Sequence, residues 1–321
     1  MKSRWTPMLW LLAALALPAW AQPYPSKPLR IIVPFGPGSG TDLLARAVGE
    51  RIGELWGQAV LIENREGAGG LLGAVATAKS APDGYTIMLA ANPFVVAPHL
   101  QPGLPYDAVK DFAAIARIGV LPMAVVTSAN SRFRSMREML DFARASPGKL
   151  NYASSGKGSP SHLEMELIKQ GQGVQIQDIP YKNVGQAMTD TIAGEVALYF
   201  PTVPPALAQM KAGKLRLLAI GGPKRLAQAP DVPTLAEALG QSGYEANVWY
   251  GFVAPAGTPR EAIAKLSEAI AQAMAHPPVR ERVEKSGTEI DFGGAESFTA
   301  LLRRENEKWA GLVKSLGLSA N

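Results

Sequence analysis

Three loops rich in glycine and hydroxyl residues are the clearest candidates for chemistry in this sequence. They span residues 34–42 (PFGPGSGTD), 64–70 (NREGAGG) and 154–159 (SSGKGS). Each is expected to lead from a strand into a helix, where glycine lets the backbone turn sharply and approach a ligand closely. The N–H groups that open a helix favour anions, so such a loop can hold a carboxylate or phosphate without an arginine. One such loop alone is often only a tight turn, but three predict a shared site for an anionic ligand.

Motifs that would indicate an enzyme are incomplete. A dinucleotide-binding G-x-G-x-x-G would need glycine at position 41, which is Thr41. A G-x-S-x-G nucleophile elbow is missing, because Pro37 and Lys157 stand two residues before Ser39 and Ser159. The sequence also contains no G-x-x-x-x-G-K-[ST] phosphate-binding loop.

A secreted α/β hydrolase that acts on a small acidic or ester substrate remains the alternative function. Ser159 and His162 are close enough in sequence to suggest a serine–histidine pair, although a lone histidine in a first helical turn more often caps or packs. Glu164 and Glu166 are two residues apart, so a helix would turn them to different faces. The chain has no cysteine and only three, widely separated histidines, so neither a metal site nor a cofactor is predicted.

The N-terminus is typical of a secretory signal peptide. Lys2 and Arg4 precede an apolar run over residues 8–17, and residues 18–21 (PAWA) end in an A-x-A cleavage pattern. A membrane anchor is the alternative, but the run is well short of the about 20 residues that span a bilayer. Cleavage after Ala21 removes two positive charges and lowers the formal net charge from +5 to +3. We therefore expect a soluble exported protein, and its dispersed charge indicates no nucleic-acid partner.

The rest of the chain alternates short apolar strands with helices. Residues 29–33 (LRIIV) predict a buried strand, and Thr41 or Asp42 is expected to cap the helix that follows. Further strands are predicted at 60–63, 85–90, 150–153, 175–179, 195–200 and 215–220, with helices between them and at 259–276 and 295–316. This alternation predicts an α/β fold of mostly parallel sheets with helices on both faces, and the length favours two domains.

A series of motifs along the chain resembles the solute receptors of tripartite tricarboxylate transporters, also called Bug proteins. The motifs are residues 34–42, 63–70 (ENREGAGG), 82–85 (PDGY), 155–163 (SGKGSPSHL), 180–182 (PYK), 213–216 (GKLR), 230–234 (PDVPT) and 249–259 (WYGFVAPAGTP). The resemblance covers essentially the whole mature chain. It departs from the usual pattern at Gly36, Ser39, Glu66 and Asn183, where the family commonly has proline, glycine, proline and glycine.

The resemblance implies a two-lobed, periplasmic-binding-protein-like fold of type II with two hinge crossings. Residues 1–21 would be the signal peptide, residues 22–121 and 249–321 the first lobe, and residues 122–248 the second. It further implies a soluble, monomeric periplasmic protein without a cofactor or enzymatic activity. Such a receptor captures a small organic acid between its lobes and delivers it to a cognate membrane transporter or sensor.

The same resemblance assigns ligand contacts to both lobes. Loops of the first lobe and two ordered waters would hold a ligand carboxylate, while loops of the second lobe select the remainder of the ligand. The first-lobe residues are Phe35, Gly36, Gly38, Ser39, Thr41, Asp42, Gly67, Ala68, Gly69, Gly70 and Asn92. The second-lobe residues are Ser154, Ser155, Gly156, Ser159, His162 and Thr202. Asp42 is expected to brace its loop rather than touch the anion, because like charges repel.

Overall fold

The computed structural model describes residues 24–67, 70–101 and 103–318, which form two β-sheets covered by helices. The predicted signal peptide at residues 1–21 and the predicted contacts Ala68 and Gly69 lie outside the described residues. Strands and helices are numbered separately along the chain. Each sheet with its helices is called a lobe, named by its number of strands.

The six-stranded lobe is built from both ends of the chain. Its strands are β1 (Leu29–Val33), β2 (Val60–Asn64), β3 (Thr86–Ala91), β4 (Phe112–Pro122), β10 (Asn247–Pro255) and β11 (Glu289–Gly294). They lie in the order β11-β4-β10-β3-β1-β2, with β10 and β11 running opposite to the other four. Its helices are α1 (Gly40–Trp56), α2 (Leu71–Ala78), α3 (Pro93–Leu100), α9 (Arg260–Ala275), α10 (Pro277–Lys285) and α11 (Ala295–Leu316).

Alternate side chains of β1 enter two hydrophobic layers. Ile31 and Val33 pack under α1 and α9, whereas Ile32 packs on the opposite face under α2, α3 and α11. All three side chains are fully buried. A strand with helices on both sides needs apolar residues at successive positions, which is why this strand is a continuous apolar run in the sequence.

The five-stranded lobe is the middle part of the chain. Its strands are β5 (Ala124–Ser128), β6 (Leu150–Ser154), β7 (Ile176–Pro180), β8 (Leu198–Tyr199) and β9 (Leu215–Ile220). They lie in the order β7-β6-β8-β5-β9, and only β5 runs opposite to the other four. Its helices are α4 (Met136–Ala145), α5 (Pro160–Gln172), α6 (Val184–Ala193), α7 (Val203–Lys211) and α8 (Leu235–Leu239).

Two neighbouring chain crossings join the lobes. The chain leaves the six-stranded sheet at Pro122, enters the five-stranded sheet at Ala124 and returns at Asn247. Asn247 pairs with Pro122 in antiparallel register, and the Met123 N–H donates to the Ala246 carbonyl at 3.0 Å. The predicted fold class, a two-lobed α/β protein with mostly parallel sheets and two crossings, is therefore confirmed.

Two local predictions are wrong. The cap of α1 is Ser39, whose Oγ accepts from the Asp42 N–H at 3.2 Å, and not Thr41 or Asp42, which lie within the helix. The strand predicted at 195–200 is reduced to the two residues of β8. The preceding Ala197 N–H donates to the Asn151 side chain at 2.7 Å, so it does not extend the ladder of backbone hydrogen bonds.

Candidate functional site

The loop before α1 is held together by the carboxylate of Asp42. Its Oδ2 accepts from the Gly38 N–H at 2.9 Å and from Arg46 Nε at 3.0 Å, and its Oδ1 accepts from Asn64 Nδ2 at 2.9 Å. Burial alone would raise the pKa of the Asp42 carboxyl, but these hydrogen bonds and the Arg46 charge lower it below its ordinary value. The buried carboxylate therefore orders the loop around it.

The first turn of α1 presents backbone N–H groups at the protein surface. Ser39 accepts twice, through its Oγ from Asp42 and through its carbonyl from the Leu43 N–H at 2.9 Å. The N–H groups of Gly40 and Thr41 donate to no acceptor within the described ranges, and Gly40 is exposed. Unpaired N–H groups at a helix N-terminus favour an anion, so this turn can bind a carboxylate.

The second predicted loop lies against the first. Asn64 Nδ2 also donates to the Phe35 carbonyl at 2.9 Å, and a Cβ built on Gly36 would lie 2.6 Å from Glu66 Oε2. The structure thus brings the loops at 34–42 and 64–67 together. Gly67 accepts from the Gly70 N–H at 3.0 Å, which closes the turn that leads into α2.

The side chain of Asn92 hydrogen-bonds to β10, the strand by which the chain returns to the six-stranded sheet. Its Oδ1 accepts from the Trp249 N–H at 2.8 Å, and its Nδ2 donates to the Asn247 carbonyl at 3.0 Å. The side chain is only 4% exposed. These contacts tie the end of β3 to the beginning of β10.

The loop before α5 repeats the bonding of the loop before α1. The Gly158 N–H donates to His162 Nδ1 at 3.3 Å, as Gly38 donates to Asp42, and Ser159 Oγ caps the helix by accepting from the His162 N–H at 3.3 Å. Burial lowers the pKa of the His162 imidazole, although Asp178 opposes that shift. Ser159 Oγ and the imidazole are thus bonded to backbone groups, not to each other as a nucleophile and its base would be.

The other predicted residues of this loop lie beside that cap. Ser154 is fully buried, and its Oγ accepts from the Gly156 N–H at 3.1 Å. Ser155 is exposed, and its N–H donates to Ser161 Oγ at 3.0 Å. Among the residues assigned to the five-stranded lobe, Ser155 and Thr202 line a common cavity.

This cavity has a volume of about 340 Å³ and lies where β6 and β8 end. Its apolar lining consists of Met123, Pro160, Val184, Met188, Phe200, Pro201, Pro205 and Val248. Its remaining lining consists of Ser155, Ser161, Gly185, Tyr199 and Thr202. None of these described lining residues carries a charge. Sequence reasoning missed most of them because they come from several elements that only the sheet order brings together.

Strand β10 carries residues that reach both the cavity and the first turn of α1. Val248 lines the cavity, and the hydroxyl of Tyr250 lies 3.8 Å from a Cβ built on Gly40. Trp249, between them, points to the other face and packs against Phe298 with a ring separation of 5.4 Å. Val248 and Tyr250 are alternate residues of the strand and point to the same face, so one side of β10 carries a contact to the cavity and a contact to the turn.

The described residues contain neither a membrane-spanning helix nor a cluster of metal-ligating side chains. Within residues 24–67, 70–101 and 103–318, no helix is both long and apolar enough to cross a membrane. The same ranges bring together no three histidine or carboxylate side chains that could hold a metal ion.

Sequence comparison matches this chain to one family over most of its length. The profile of the tripartite tricarboxylate transporter family receptor matches residues 44–318. Protein BugT of Bordetella pertussis is 35% identical over 307 residues, which are 95% of this chain and 94% of BugT.

Solved structures of similar sequence share the fold. A TctC solute binding protein from Polaromonas is 27% identical, with a TM-score of 0.83 over 91% of this chain and 99% of the other. An R. palustris protein solved with adipate is 30% identical, with a TM-score of 0.74 over 92% and 99%. MatC from Rhodopseudomonas palustris, solved with bound malate, is 29% identical, with a TM-score of 0.71 over 90% and 100%.

Proposed function

Because this chain belongs to the tripartite tricarboxylate transporter family of receptors, we propose that it captures a small carboxylate-bearing organic acid and delivers it to a cognate membrane transporter or sensor. Two similar proteins were solved with adipate and with malate, both of which carry carboxylates. The similar Polaromonas protein is a solute binding protein, which supports the view that this chain also binds its solute without converting it. In this proposal the signal peptide is cleaved after Ala21 and the mature protein acts in the periplasm.

The first turn of α1 is the feature that best supports a carboxylate ligand. Gly40 and Thr41 offer two backbone N–H groups that have no acceptor among the described residues. The adjacent Asp42 carboxylate is occupied by Gly38, Arg46 and Asn64. An incoming anion therefore meets N–H donors rather than an unpaired negative charge. In this proposal the other predicted contact residues, including residues 67–70, would also touch the ligand.

We further propose that the two lobes close on the ligand as units. The units are residues 22–121 with 249–321 and residues 122–248. The paired strand ends at Pro122 and Asn247 would act as the hinge, since the described chain passes between the sheets there. A ligand held between α1 and the cavity would then be enclosed by both units.

Replacing Gly40 with proline tests the carboxylate site directly. Proline removes the Gly40 N–H but is well tolerated as the first residue of a helix. The chain already contains this arrangement in α5, where Ser159 (φ −68°, ψ 156°) precedes Pro160 and matches Ser39 (φ −65°, ψ 158°). We expect Gly40→Pro to fold normally and to lose at least tenfold in affinity, since a hydrogen bond to a charged group contributes about 1.5–3 kcal/mol.

Calorimetric titration of the mature protein with hexanoate, adipate, malate and hexanamide provides the measurement. At least one of the acids is expected to bind, and the uncharged hexanamide is not. Gly40→Ala is the matched control, because it keeps the N–H and its methyl group would be in ordinary contact with Tyr250. Equal binding of hexanamide and the acids, binding of none of them, or unchanged affinity in Gly40→Pro would refute the proposed function or its site.

A further inference from the structure

We propose that the preferred ligand is a monocarboxylate whose remaining body is apolar, an inference that rests on the proposed capture of a carboxylate at α1. The body would occupy the cavity at the ends of β6 and β8. Met123, Met188, Phe200 and Val248 form much of its wall, and no described lining residue is charged. A second carboxylate placed there would lose its hydration without gaining a cationic partner, which is strongly unfavourable.

The helices that begin at this cavity are poor in N–H donors. The first residue of α5 is Pro160, and the second and third residues of α7 are both proline (204–205), so these positions have no N–H. In α6 the N–H groups of Gly185 and Gln186 already donate to Asn183 Oδ1, at 2.8 and 3.3 Å. N–H groups remain at Ser161, Val184 and Val203, so these three helix N-termini offer a carboxylate fewer donors than such ends usually provide.

The difference between the first residues of α5 and α1 indicates how the ligand is oriented. Both helices follow a glycine with a left-handed backbone, Gly38 at φ +80° and Gly158 at φ +78°, and a capping serine. Only α1 then has a first residue that retains its N–H group, because that position is Gly40 in α1 and Pro160 in α5. The charged end of the ligand is therefore placed at α1 and the uncharged end towards α5.

The polar groups of the cavity are neutral hydroxyls. Ser161 Oγ accepts from the Ser155 N–H at 3.0 Å and lies 3.1 Å from Ser159 Oγ. Most of the hydrogen-bonding capacity of the Ser161 hydroxyl is therefore used within the protein. Burial raises the pKa of the Tyr199 hydroxyl, which keeps it protonated, although a hydrogen bond with Ser155 opposes that shift. These groups suit an uncharged polar substituent, while the two methionines suit an aromatic ring or a branched alkyl chain.

Matched acids with one and two carboxylates test this inference on the wild-type mature protein. The pairs are hexanoate with adipate and benzoate with benzene-1,4-dicarboxylate, each titrated by calorimetry at one ionic strength. In at least one pair the monocarboxylate is expected to bind at least tenfold more tightly than its dicarboxylate partner. Dicarboxylates that bind equally or more tightly in both pairs would overturn the inference but leave carboxylate capture intact. If none of the four acids binds, the proposed function itself is contradicted.

A cation introduced at the cavity gives an independent readout. Val184 lines the cavity and is 58% exposed, so Val184→Lys is expected to fold and to place an ammonium group at the cavity. We expect the ratio of adipate to hexanoate affinity to rise at least tenfold. Thr189→Lys, at an exposed position further along α6, adds the same charge as a control and should leave the ratio unchanged. An unchanged ratio in Val184→Lys, or an equal rise in Thr189→Lys, would contradict the placement of the uncharged end in this cavity.

Discussion

Replacing Lys308 with methionine is expected to destabilise the protein by breaking an ion pair between the lobes. Lys308, on α11 of the six-stranded lobe, places its Nζ 2.9 Å from Oε1 of Glu164, on α5 of the five-stranded lobe. The side chain of Glu164 is 3% exposed and that of Lys308 is 28% exposed. Burial raises the pKa of the Glu164 carboxyl, and the Lys308 charge opposes that shift. Methionine keeps the unbranched stem but leaves the carboxylate without its cation.

The expected loss follows from what remains around Glu164. Removing one partner of a buried ion pair typically costs about 3–5 kcal/mol. The Tyr244 hydroxyl donates to Glu164 Oε2 at 3.3 Å, a bond that the substitution does not remove, and Lys308 is partly hydrated, so we expect a loss at the lower end of this range. A loss of about 3 kcal/mol at pH 8 corresponds to a fall in Tm of roughly 5 °C for a chain of this size.

The pH dependence of this loss is the sharper test. Without Lys308, the pKa of Glu164 in the folded state lies above its unfolded value of about 4.3, so the folded state holds the proton more tightly. Stability of the variant relative to the wild type should therefore recover as the pH is lowered from 8 to 5. The double variant Glu164→Gln with Lys308→Met should recover much of the loss at pH 8, because no buried charge remains.

Thermal unfolding followed by circular dichroism at pH 5 and pH 8 measures these effects. Arg304→Met removes an exposed positive charge from the same helix and serves as the control. If Lys308→Met lowers Tm no more than this control, or lowers it equally at both pH values, the pair is not a buried contributor to stability.

Two further predictions concern the loops that precede α1 and α5. Asp42→Asn should lower the unfolding free energy measured in urea by about 2 kcal/mol, because it removes a charge that accepts from Arg46 and from backbone; an unchanged value would show that these bonds do not hold the loop. His162 has a folded-state pKa below its unfolded value of about 6.5, so its contribution to stability is present above that pH and is lost as the pH falls. Wild-type Tm should therefore decline from pH 7 to pH 5 more steeply than that of His162→Gln, and parallel curves would contradict the role of its neutral Nδ1 as an acceptor.

Elements with a continuous or strictly periodic apolar pattern were predictable from the sequence. β1 was predicted with its observed bounds because Ile31 and Ile32 face different layers, and both layers are apolar. The eight-residue helix α3 was not predicted, since Pro93 and Pro98 interrupt its pattern. Asn92, which precedes this helix, is held by hydrogen bonds to β10, over 150 residues away in the sequence. A contact between residues so far apart in the sequence leaves no pattern in the residues around either of them.

The cavity could not be predicted for the same physical reason. Met123 follows the first crossing strand, Met188 lies on α6 and Val248 lies on the returning strand. Each is an ordinary apolar residue in its own element, and its position beside Ser155 and Thr202 results from the order of the strands. The sequence indicated the hydroxyl-rich loops, whereas the apolar surface facing them required the fold.

The loops before α1 and α5 share a backbone conformation but present different groups at the start of the helix. In both, a serine caps the helix and the side chain four residues after the glycine accepts from that glycine's N–H. What differs is the first helical residue: Gly40 keeps a donor exposed, whereas Pro160 removes it and adds an apolar ring to the cavity. Because the local geometry is similar, our proposal attributes the preference for a carboxylate at α1 to a single N–H group and the surface beside it. Gly40→Pro therefore converts one kind of helix start into the other, and its loss of carboxylate affinity would show that the donor, and not the loop shape, recognises the ligand.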